Sequence, residues 1–521
     1  MPITEMLTRN AEKFPDEVSL IEREPAVGLR REISWLEFEQ QANQLANALI
    51  ERGIKQGDRV ALLMMNCLEW LPIYFGILKT GALAVPLNFR YTAGEIKKCV
   101  ETAGAKILIY GPEFIERINE IKDDLSCVES FIFVGKNCPD LCENYEEILA
   151  ASPSAAPKIK IHDTDDAALY FTSGTTGTPK PILLTHANLV SACITEQNHH
   201  KQCHEDCFLC IPPLYHTGAK MHWFGSLIVG GRAVLLRGVK PNWILEAVSE
   251  EKVTIVWLLV PWAQDILDAI ESKEVNLKDY NLDQWRLMHI GAQPVPPSLI
   301  IRWKKYFPKH LYDTNYGLSE ATGPGCVHLG LENIHKVGAI GKPGYNWEIK
   351  IVDDQGKPVP RGKVGELIVK GPGVMKGYYN NPEATAKVLK DGWLFTGDMA
   401  RQDEDGFVYL VDRKKDVVIM GGENIFPVEI EDYLRSHQDI KDAAVIGIPD
   451  RRLGEIPIAI VEVKAGSKLT EDMIIEFCDG LPRYKRPRKI IFDKVPRNPT
   501  GKIEKPKLRE RYCGDEIAQV V

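Results

Sequence analysis

The stretch Tyr170-Phe-Thr-Ser-Gly-Thr-Thr-Gly-Thr-Pro-Lys180 decides how the rest of the chain is interpreted. Apolar runs flank it, from Ala167 to Phe171 before and from Ile182 to Leu184 after, so the pattern predicts a loop between two buried strands. Glycine allows tight bends and close approach of backbone N–H groups to an anion, while the hydroxyls and Lys180 add donors and positive charge. The composition therefore indicates a loop that wraps a polyphosphate, in preference to a flexible surface turn.

This loop differs from the common P-loop. Gly174 and Lys180 do not fit the spacing G-x-x-x-x-G-K-[ST], and Pro181 stands where that motif has Ser or Thr. Donors toward phosphate are expected from four hydroxyl side chains, which are Thr172, Ser173, Thr175 and Thr176.

Length and charge narrow the class of protein. The chain has 521 residues, too many for one core, so two or more domains are expected. Apolar residues make up 44% and charged residues 26%, which is typical of soluble globular proteins. The net charge of −8 argues against nucleic acid or an anionic membrane surface as the main partner. No apolar run approaches the length of a transmembrane segment.

The sequence predicts a cytoplasmic protein. Its N-terminus lacks the basic and then apolar order of a signal peptide, and Val520-Val521 is not a Ser-Lys-Leu peroxisomal signal. Twelve cysteines without a secretory signal fit free thiols in a reducing compartment.

Periodicity along the chain predicts an α/β protein. Residues 1 to about 165 alternate helical and strand patterns, such as an amphipathic run from Leu36 to Gly53 and a buried strand from Val60, which predicts parallel sheets covered by helices. Residues 341 to 412 contain short alternating strands between Gly and Pro turns, which indicates a small β-rich subdomain. About a hundred residues of α+β pattern follow, enough for a small second domain.

A cluster of Cys and His residues between 199 and 210 invites a zinc interpretation. However, Cys207-Phe-Leu-Cys210 is apolar and resembles a strand entering the core, where a free Cys behaves as a small hydrophobe. No second Cys-x-x-Cys pair follows at zinc-ribbon spacing. The core interpretation is therefore favoured over a metal site.

Two predicted strands end in polar or glycine-rich segments. Leu287 to Gly291 runs into a glycine turn, and the strand from Leu311 ends in Tyr316-Gly-Leu-Ser-Glu320. Ligands of open α/β sheets bind at the carboxyl ends of strands, so a nucleotide is expected here, with Tyr316 as a stacking face and Glu320 as a carboxylate for a metal. His216, between Pro212-Pro and Gly218, either lines a pocket or satisfies a turn.

Five segments in one order resemble motifs of the adenylate-forming superfamily, which includes acyl-CoA synthetases, nonribosomal peptide adenylation domains and beetle luciferases. They are spread from residue 172 to residue 502, and the resemblance covers essentially the whole chain. The segments are Thr172 to Lys180, Tyr316-Gly-Leu-Ser-Glu320, Thr396-Gly-Asp398, Asp412-Arg-Lys-Lys-Asp416 with Gly421-Gly-Glu-Asn424, and Pro499-Thr-Gly-Lys502.

The resemblance implies an α/β fold of two domains. The N-terminal domain, residues 1–414, would hold two helix-covered, mainly parallel sheets and a small β-barrel-like subdomain, and residues 415–521 would form a small mobile α+β domain. In the first half-reaction a carboxylate attacks the α-phosphate of ATP, which gives an acyl-adenylate and pyrophosphate. In the second half-reaction the thiol of coenzyme A displaces AMP.

The resemblance also implies the roles of individual residues. The adenine would lie between Gly291-Ala292-Gln293 and Tyr316, the ribose would be held by Asp398 and Arg413, and Ser319 would lie beside the α-phosphate. The implied nucleotide-binding set is Thr172, Ser173, Gly174, Thr175, Thr176, Gly177, Lys180, Gly291, Ala292, Gln293, Asn315, Tyr316, Gly317, Ser319, Asp398, Arg413 and Lys502.

The remaining implied roles concern catalysis, Mg²⁺ and coenzyme A. The catalytic residues would be Lys502, Glu320, Thr176 and His216, with Glu320 and Thr176 as the Mg²⁺ ligands. Lys415 would be the hinge, and the coenzyme A site would include Gly421, Gly422 and Glu423.

The chemistry agrees with these roles. A carboxylate is already a competent nucleophile, so the site must supply position and positive charge, through Lys502 and a Mg²⁺ ion on Glu320. Taken alone, Lys502 is typical of a solvated lysine in a turn, and Asp398 with Arg413 is typical of a surface ion pair.

Two positions depart from the usual pattern of this superfamily. Pro181 follows Lys180 where Gly is usual, and because Pro lacks an N–H and fixes φ, the last turn of the loop is expected to differ in shape. Gln293 stands where a smaller residue is common, which is expected to alter the rim of the acyl pocket.

The leading hypothesis is an ATP-dependent acid–CoA ligase. The first alternative is a stand-alone amino- or aryl-acid adenylation enzyme that loads a carrier protein. Amino-acid-activating enzymes usually place an Asp in the segment that here reads Tyr215-His216-Thr217, where no Asp stands, and a buried unpaired ammonium would be costly. A catalytically silent nucleotide-binding protein is the second alternative, against which Lys502, Glu320 and Asp398 argue.

The acyl substrate is predicted to be an uncharged-tail acid, medium-chain or ring-bearing. The pocket would be lined by His216, Trp223 and Gly317, with further walls from the Trp257–Trp262 region and Gly291. Small residues after His216 leave room, and Trp223 would limit the depth unless it belongs to the core.

Overall fold

The computed structural model describes residues 1–172, 180–291, 295–336, 338–421, 423–497 and 503–513. These residues form two compact units. The first unit takes in residues 1–291, 295–348 and 369–394, and the second takes in residues 349–368 and the described residues from 395 onward.

Helices occur in both units, and several begin at caps that the sequence encodes. Ser34 and Thr92 each form a capping box with the Glu three residues later. The helices are α1 (Ile3–Lys13), α2 (Trp35–Glu51), α3 (Trp70–Lys79), α4 (Ala93–Ala103), α5 (Ile115–Ile121), α6 (Tyr145–Ala151), α7 (His186–His200), α8 (Thr217–Val229), α9 (Pro241–Glu250), α10 (Val260–Glu271), α11 (Pro297–Tyr306), α12 (Pro382–Val388), α13 (Pro427–Arg435), α14 (Glu471–Phe477) and α15 (Lys505–Tyr512).

The strands alternate with these helices through most of the first unit. They are β1 (Val18–Glu24), β2 (Leu29–Ser34), β3 (Arg59–Leu63), β4 (Leu83–Pro86), β5 (Ile107–Tyr110), β6 (Ser130–Phe133), β7 (Glu143–Asn144), β8 (Asp166–Thr172), β9 (Lys180–Thr185), β10 (Cys207–Cys210), β11 (Arg232–Leu236), β12 (Ile255–Leu259), β13 (Leu287–Gly291), β14 (Leu311–Asp313), β15 (Asn315–Leu318), β16 (Gly323–His328), β17 (Lys342–Pro343), β18 (Glu348–Val352), β19 (Gly365–Lys370), β20 (Gly377–Tyr378), β21 (Leu389–Lys390), β22 (Trp393–Gln402), β23 (Val408–Arg413), β24 (Val418–Met420), β25 (Glu423–Ile425), β26 (Ile440–Asp450), β27 (Gly454–Val463) and β28 (Ile490–Phe492).

Two large sheets dominate the first unit. One has the order β14-β13-β12-β10-β11-β1-β2 and is parallel except for β2, and the other has the order β20-β9-β8-β4-β3-β5-β6-β7, with antiparallel pairing only at β8–β9 and β9–β20. Strands β5, β12 and β13 are buried along their whole length, as expected where helices cover both faces of a sheet. These sheets confirm the predicted fold class.

The predicted loop between two strands is the connection of the hairpin β8–β9. Thr172 at the end of β8 pairs with Lys180 at the start of β9, so the two predicted strands are confirmed. The loop residues 173–179 themselves lie outside the described residues. Pro181 fits within β9, where its carbonyl accepts a hydrogen bond from the Tyr379 N–H at 2.8 Å. Pro181 therefore does not interrupt the strand.

The described residues of the second unit form strands of 3 to 11 residues and three α-helices. Strands β18, β19, β22 and β23 are neighbours in that order in one sheet, and β25-β24-β27-β26 form another, with β28 beside β27. Its core is aliphatic and includes Ile425, Ile446 and Leu508. The α+β pattern predicted for this part of the chain is confirmed, and the predicted boundary between residues 414 and 415 stays a prediction.

Two smaller predictions concern thiols and membranes. All twelve cysteines are free thiols, as predicted. No helix among the described residues is long and apolar enough to cross a membrane.

Candidate active site

Lys180, Tyr378 and Glu320 lie next to one another at the end of the hairpin β8–β9. The Lys180 Nζ atom is 5.4 Å from the centroid of the Tyr378 ring, and the Tyr378 hydroxyl donates a hydrogen bond to Glu320 Oε1 at 3.0 Å. Strand β20 pairs with β9 and so fixes Tyr378 beside the loop. Two motifs that are far apart in sequence are thus connected through a tyrosine that the sequence analysis did not identify.

The environment of Glu320 fits a Mg²⁺ ligand. Burial, with the neighbouring carboxylate, raises the pKa of Tyr378, so the phenol keeps its proton and acts as the donor. Glu320 is half-buried, and one hydrogen bond to a single oxygen leaves acceptor capacity on its carboxylate. Carboxylate oxygens are the ligands that Mg²⁺ prefers. The other predicted ligand, Thr176, lies outside the described residues.

Ser319 contacts the start of α8. Its hydroxyl is 3.0 Å from the Thr217 hydroxyl, so the Tyr316–Glu320 motif and the segment after His216 meet. His216 is the N-cap of α8, and its Nδ1 atom accepts a hydrogen bond from the Gly218 N–H at 3.1 Å. His216 is also half-buried, so it satisfies a turn and still presents part of its ring.

Gly218 and Gly291 both approach the indole of Trp257 closely. A methyl group at Gly218 would lie 3.8 Å from the Trp257 ring, and one at Gly291 would lie 3.3 Å from Trp257 Nε1. The indole is buried, and its N–H has no hydrogen-bond partner among the described residues. The start of α8, the strand β12 and the end of β13 therefore meet at one aromatic side chain.

The strand β15 carries Asn315, Tyr316 and Gly317. Tyr316 is buried with 7% of its surface exposed. The Asn315 amide points into the interior, where its Nδ2 atom donates to His222 Nε2 at 3.2 Å. The predicted nucleotide contacts of these three residues stay predictions.

Trp223 lies in the core. It is completely buried, and its ring packs against Phe38 and Phe75 with centroid distances of 6.3 and 6.1 Å and against Phe224. Of the two alternatives given for Trp223, this packing favours the core position over a limit to pocket depth. His222, one residue earlier, instead stacks on Trp257 at 4.8 Å.

In the second unit, Asp398 and Arg413 lie opposite each other on β22 and β23. Arg413 Nε is 3.2 Å from Asp398 Oδ1. The Thr396 hydroxyl donates to the Leu367 carbonyl and accepts from the Asp398 N–H at 3.1 Å, while Glu366 accepts from the Gly397 N–H at 3.0 Å. The Thr396-Gly-Asp398 motif is thus built to hold the Asp398 carboxylate in place.

Lys415 is exposed between two anchored residues. Lys414 forms ion pairs with Asp354 and Glu366 at 2.8 and 3.1 Å, and Asp416 forms one with Arg509 at 2.7 Å. Such a short exposed segment between fixed ends is typical of a hinge. The hinge role itself stays a prediction.

Other predicted site residues are placed only in part. Gly421 donates its N–H to the Leu453 carbonyl at 2.7 Å, and Glu423 is exposed at the start of β25. The predicted residues that lie outside the described part of the chain are Ser173, Gly174, Thr175, Thr176, Gly177, Ala292, Gln293, Gly422 and Lys502, and the side chain of Thr172 is also not described.

The Cys and His cluster is divided between two environments. Cys207 and Cys210 are completely buried in β10, so the core interpretation is confirmed. His200, by contrast, belongs to a buried group of His and acidic residues from distant parts of the sequence, which is described below. Its only local signal was the spacing of Glu196 and His200 on one face of α7.

Comparisons with known proteins agree with this arrangement. A family model described as AMP-binding enzyme matches residues 7–379, and a second, AMP-binding enzyme C-terminal domain, matches residues 429–502. Feruloyl-CoA synthase from Amycolatopsis sp is 34% identical over 485 residues, which cover 92% of this chain and 94% of that protein. Long-chain-fatty-acid–CoA ligase FadD13 from Mycobacterium tuberculosis is 32% identical over 495 residues, 94% of each chain.

A solved structure of an acid–CoA ligase is also similar to this chain. The anthranilate CoA ligase AuaEII in complex with anthranoyl-AMP superposes with a TM-score of 0.88 at 27% identity and covers 98% of this chain and 97% of its own. This chain belongs to the AMP-binding enzyme family, in the acyl-CoA synthetase branch of the adenylate-forming superfamily. It is an enzyme of the AMP-forming acyl-CoA synthetase type, with ATP and coenzyme A as co-substrates.

Proposed function

We propose that the acid activated by this ATP-dependent acyl-CoA ligase is ring-bearing or medium-chain and has an uncharged tail. The observation that carries the proposal is the meeting of Gly218, Gly291 and Trp257. Small residues at the start of α8 leave room for an acyl group, whereas an acetate-specific site would need a bulky side chain there. An indole face favours an aromatic ring, and aromatic pairs contribute about 0.5–1.5 kcal/mol beyond the area they bury.

The Trp257 N–H, which has no hydrogen-bond partner in the described part of the chain, sharpens this proposal. A buried donor without a partner costs free energy, and a substrate atom that accepts from it would recover that cost. We therefore favour an acid whose ring or chain carries a hydrogen-bond acceptor. The names of two similar proteins, a feruloyl-CoA synthase and an anthranilate CoA ligase, are consistent with a ring-bearing acid.

The first half-reaction is proposed to depend on position and charge. The loop from Thr172 to Gly177 and Lys180 would hold the polyphosphate, Tyr316 and Gly291 would hold the adenine, and Asp398 and Arg413 would hold the ribose. Mg²⁺, when bound, neutralises phosphate oxygens. Glu320 is its proposed ligand, and the Tyr378 hydroxyl fixes the orientation of that carboxylate. Lys502 would meet the charge that develops at the α-phosphate.

The second half-reaction is proposed to follow a rotation at Lys415. Gly421, Gly422 and Glu423 would then line the path of the pantetheine arm, and His216 would swing aside for the acyl chain. Two residues of the basic run from Arg483 to Lys489 already form ion pairs, Lys485 with Glu429 and Arg486 with Asp479. This run is therefore better interpreted as a solvated basic loop than as a site for the coenzyme A phosphates. Coenzyme A would be held mainly through its pantetheine arm. We also propose that the enzyme works in the cytoplasm.

Specificity constants across acetate, hexanoate, benzoate and palmitate test the acyl proposal. We expect a maximum at benzoate or hexanoate. In the variant Trp257→Leu, benzoate should lose about three- to tenfold relative to hexanoate because the aromatic contact is gone. Trp243→Leu is the matched control, since Trp243 is half-buried on α9 and contacts Lys240. A maximum at acetate, or equal losses for both acids in both variants, would refute the role of Trp257.

A further inference from the structure

A group of ionisable side chains, none of them assigned to the reaction, is buried in the first unit. We call it the histidine–carboxylate cluster, and its members are Glu196, His200, His289, Asp313 and His328. They come from α7, β13, β14 and β16, and all five are at most 3% exposed. Buried charged groups are costly unless they are paired, so the hydrogen bonds of each member need to be accounted for.

Asp313 is the organising carboxylate. Its Oδ2 atom accepts hydrogen bonds from His200 Nε2 and His328 Nδ1, each at 3.1 Å, and its Oδ1 atom accepts from the Gly330 N–H at 3.0 Å. Because both Asp313 oxygens accept hydrogen bonds, Asp313 fixes the proton of His200 at Nε2 and that of His328 at Nδ1.

The opposite nitrogens of those two rings face Glu196. His200 Nδ1 lies 3.2 Å from Glu196 Oε2, and His328 Nε2 lies 3.7 Å from Glu196 Oε1. Despite these distances, His200 Nδ1, His328 Nε2 and Glu196 Oε2 have no hydrogen-bond partner among the described residues. With their protons directed at Asp313, both imidazoles present lone pairs to Glu196, whose Oε1 atom accepts a hydrogen bond from Asn315 Nδ2 at 3.4 Å. A cation bound between the two rings and Glu196 would pair the atoms that are left.

We propose that Glu196, His200 and His328 bind a divalent transition-metal cation, best Zn²⁺, with Asp313 as the carboxylate that orients both histidines. Ligand atoms about 2.1 Å from a tetrahedral Zn²⁺ lie about 3.4 Å from one another. One ligand atom from each of the three residues lies within 4.8 Å of the other two, so the longest of these separations would shorten by at most about 1.4 Å on binding. Histidines that bind metal commonly donate their other N–H to a carboxylate, as both do here.

The ligand types select the metal. Two imidazole nitrogens and one carboxylate oxygen suit Zn²⁺, whereas Mg²⁺ and Ca²⁺ prefer oxygen ligands alone. The second possible group, His200 Nε2 with His289 and Asp313, is already joined by hydrogen bonds within itself and offers no comparable set of unpaired atoms. The His328 ring is also held in place, because it stacks on His199 with a centroid distance of 3.8 Å.

The cation would link α7 to β16. Through His200 it would also fix His289, whose Nδ1 atom is 3.0 Å from His200 Nε2 and whose Nε2 atom is 3.2 Å from His222 Nε2. His222 stacks on Trp257, so the cluster supports the aromatic side chain proposed for the acyl pocket. The proposed role is structural support, because none of the three ligands is among the residues assigned to the reaction.

Metal content of the full-length protein tests the site. Protein incubated with Zn²⁺ and then desalted should retain about one Zn²⁺ per chain. Glu196→Gln keeps the shape of the side chain but removes its charge, and Asp313→Asn removes the orienting carboxylate, so each should weaken Zn²⁺ binding at least about tenfold. His186→Gln should bind Zn²⁺ like the wild type, because His186 is an equally buried histidine on the same helix outside the cluster.

A second measurement needs no variant. Wild-type protein loaded with Co²⁺ should show the visible bands of a tetrahedral site with nitrogen and oxygen ligands, and Zn²⁺ should abolish them. Thiolate-to-cobalt bands would place the metal on cysteines and overturn the proposal. Failure of the wild type to retain Zn²⁺, or equal Zn²⁺ content in the wild type and Glu196→Gln, would also overturn it.

Discussion

Glu320 and Glu196 are carboxylates of the same unit in contrasting surroundings. Glu320 is half-buried in the turn after β15, and the Tyr378 hydroxyl donates to one of its oxygens. Glu196 is completely buried on α7, and its Oε2 atom has no hydrogen-bond partner among the described residues. Burial raises the pKa of the Glu196 carboxyl. Glu320 is partly exposed, and its carboxylate can still accept further hydrogen bonds or bind a cation.

This difference separates two kinds of polar site. A carboxylate at an open edge can exchange ligands during a reaction, so changes near it should alter rates and leave stability almost unchanged. Polar groups buried in a closed cluster cannot exchange partners, so changes among them should alter stability. The predictions that follow separate changes that should alter rates from changes that should alter stability.

The largest effect is expected at Lys502. Lys502→Ala should lower the rate of adenylation about 10²-fold or more, as loss of a charge-stabilising donor does elsewhere, while thioester formation from supplied acyl-adenylate is largely retained. The thermal midpoint should not change. The control is Lys507→Ala, because Lys507 is an exposed lysine of α15 that forms an ion pair with Glu504. An equal loss in both half-reactions would contradict a role confined to the first.

The next largest effect is expected at the proposed hinge residue, Lys415. Proline fixes φ, so Lys415→Pro should hold one conformer, keep adenylation and lower thioester formation by about 10²-fold, the size expected when reacting groups are misplaced. Lys415→Ala should have little effect, since Lys415 is exposed. If Lys415→Pro leaves both rates near those of the wild type, the hinge lies at another residue.

Buried histidines outside the cluster should control stability at acid pH. Burial lowers the pKa of His186 to about 4 and that of His310 to about 3. As pH falls below about 6.5 the unfolded chain binds protons that the folded chain does not, so stability is lost, by about 2 kcal/mol for each histidine at pH 5. Urea denaturation of His186→Gln or His310→Gln should show an acid loss smaller by that amount. His335→Gln, at an exposed position, should lose as much stability as the wild type.

The smallest effect is expected at Tyr378. Tyr378→Phe removes the hydrogen bond to Glu320, worth about 1 kcal/mol, so adenylation should fall about fivefold and the Mg²⁺ concentration for half-maximal rate should rise. Stability should change little because the ring remains. Tyr379→Phe is the matched control on the next residue. A fall in stability without a change in the Mg²⁺ dependence of the rate would show that Tyr378 supports the fold and does not act on Glu320.

Much of the candidate active site was predictable from the sequence because its motifs are local. The strands around the Gly/Thr loop, predicted at 167–171 and 182–184, are found as Asp166–Thr172 and Lys180–Thr185. The helix predicted from Leu36 to Gly53 is found as Trp35–Glu51, since its cap and apolar periodicity lie within the segment itself. The Asp398–Arg413 pair also follows from two short motifs on adjacent strands.

The rest depends on contacts that no local pattern encodes. Tyr378 reaches Glu320 only because β20 pairs with β9, and nothing in Gly377-Tyr378 indicates that partner. The histidine–carboxylate cluster joins residues from Glu196 to His328, so its members meet only once the sheet and α7 have packed. Trp223 and His222 are neighbours in sequence, yet one faces the core and the other faces Trp257, which their residue types alone do not decide.

Separate assays of the two half-reactions test the two-step acid–CoA ligase reaction most directly. With benzoate, ATP and Mg²⁺ but no thiol, the enzyme should release pyrophosphate and retain the acyl-adenylate. Addition of coenzyme A should then release AMP and form the thioester. Absence of pyrophosphate release with every acid of the panel would contradict the account and favour a catalytically silent nucleotide-binding protein. Pyrophosphate release without AMP release on addition of coenzyme A would contradict the assignment of the acceptor.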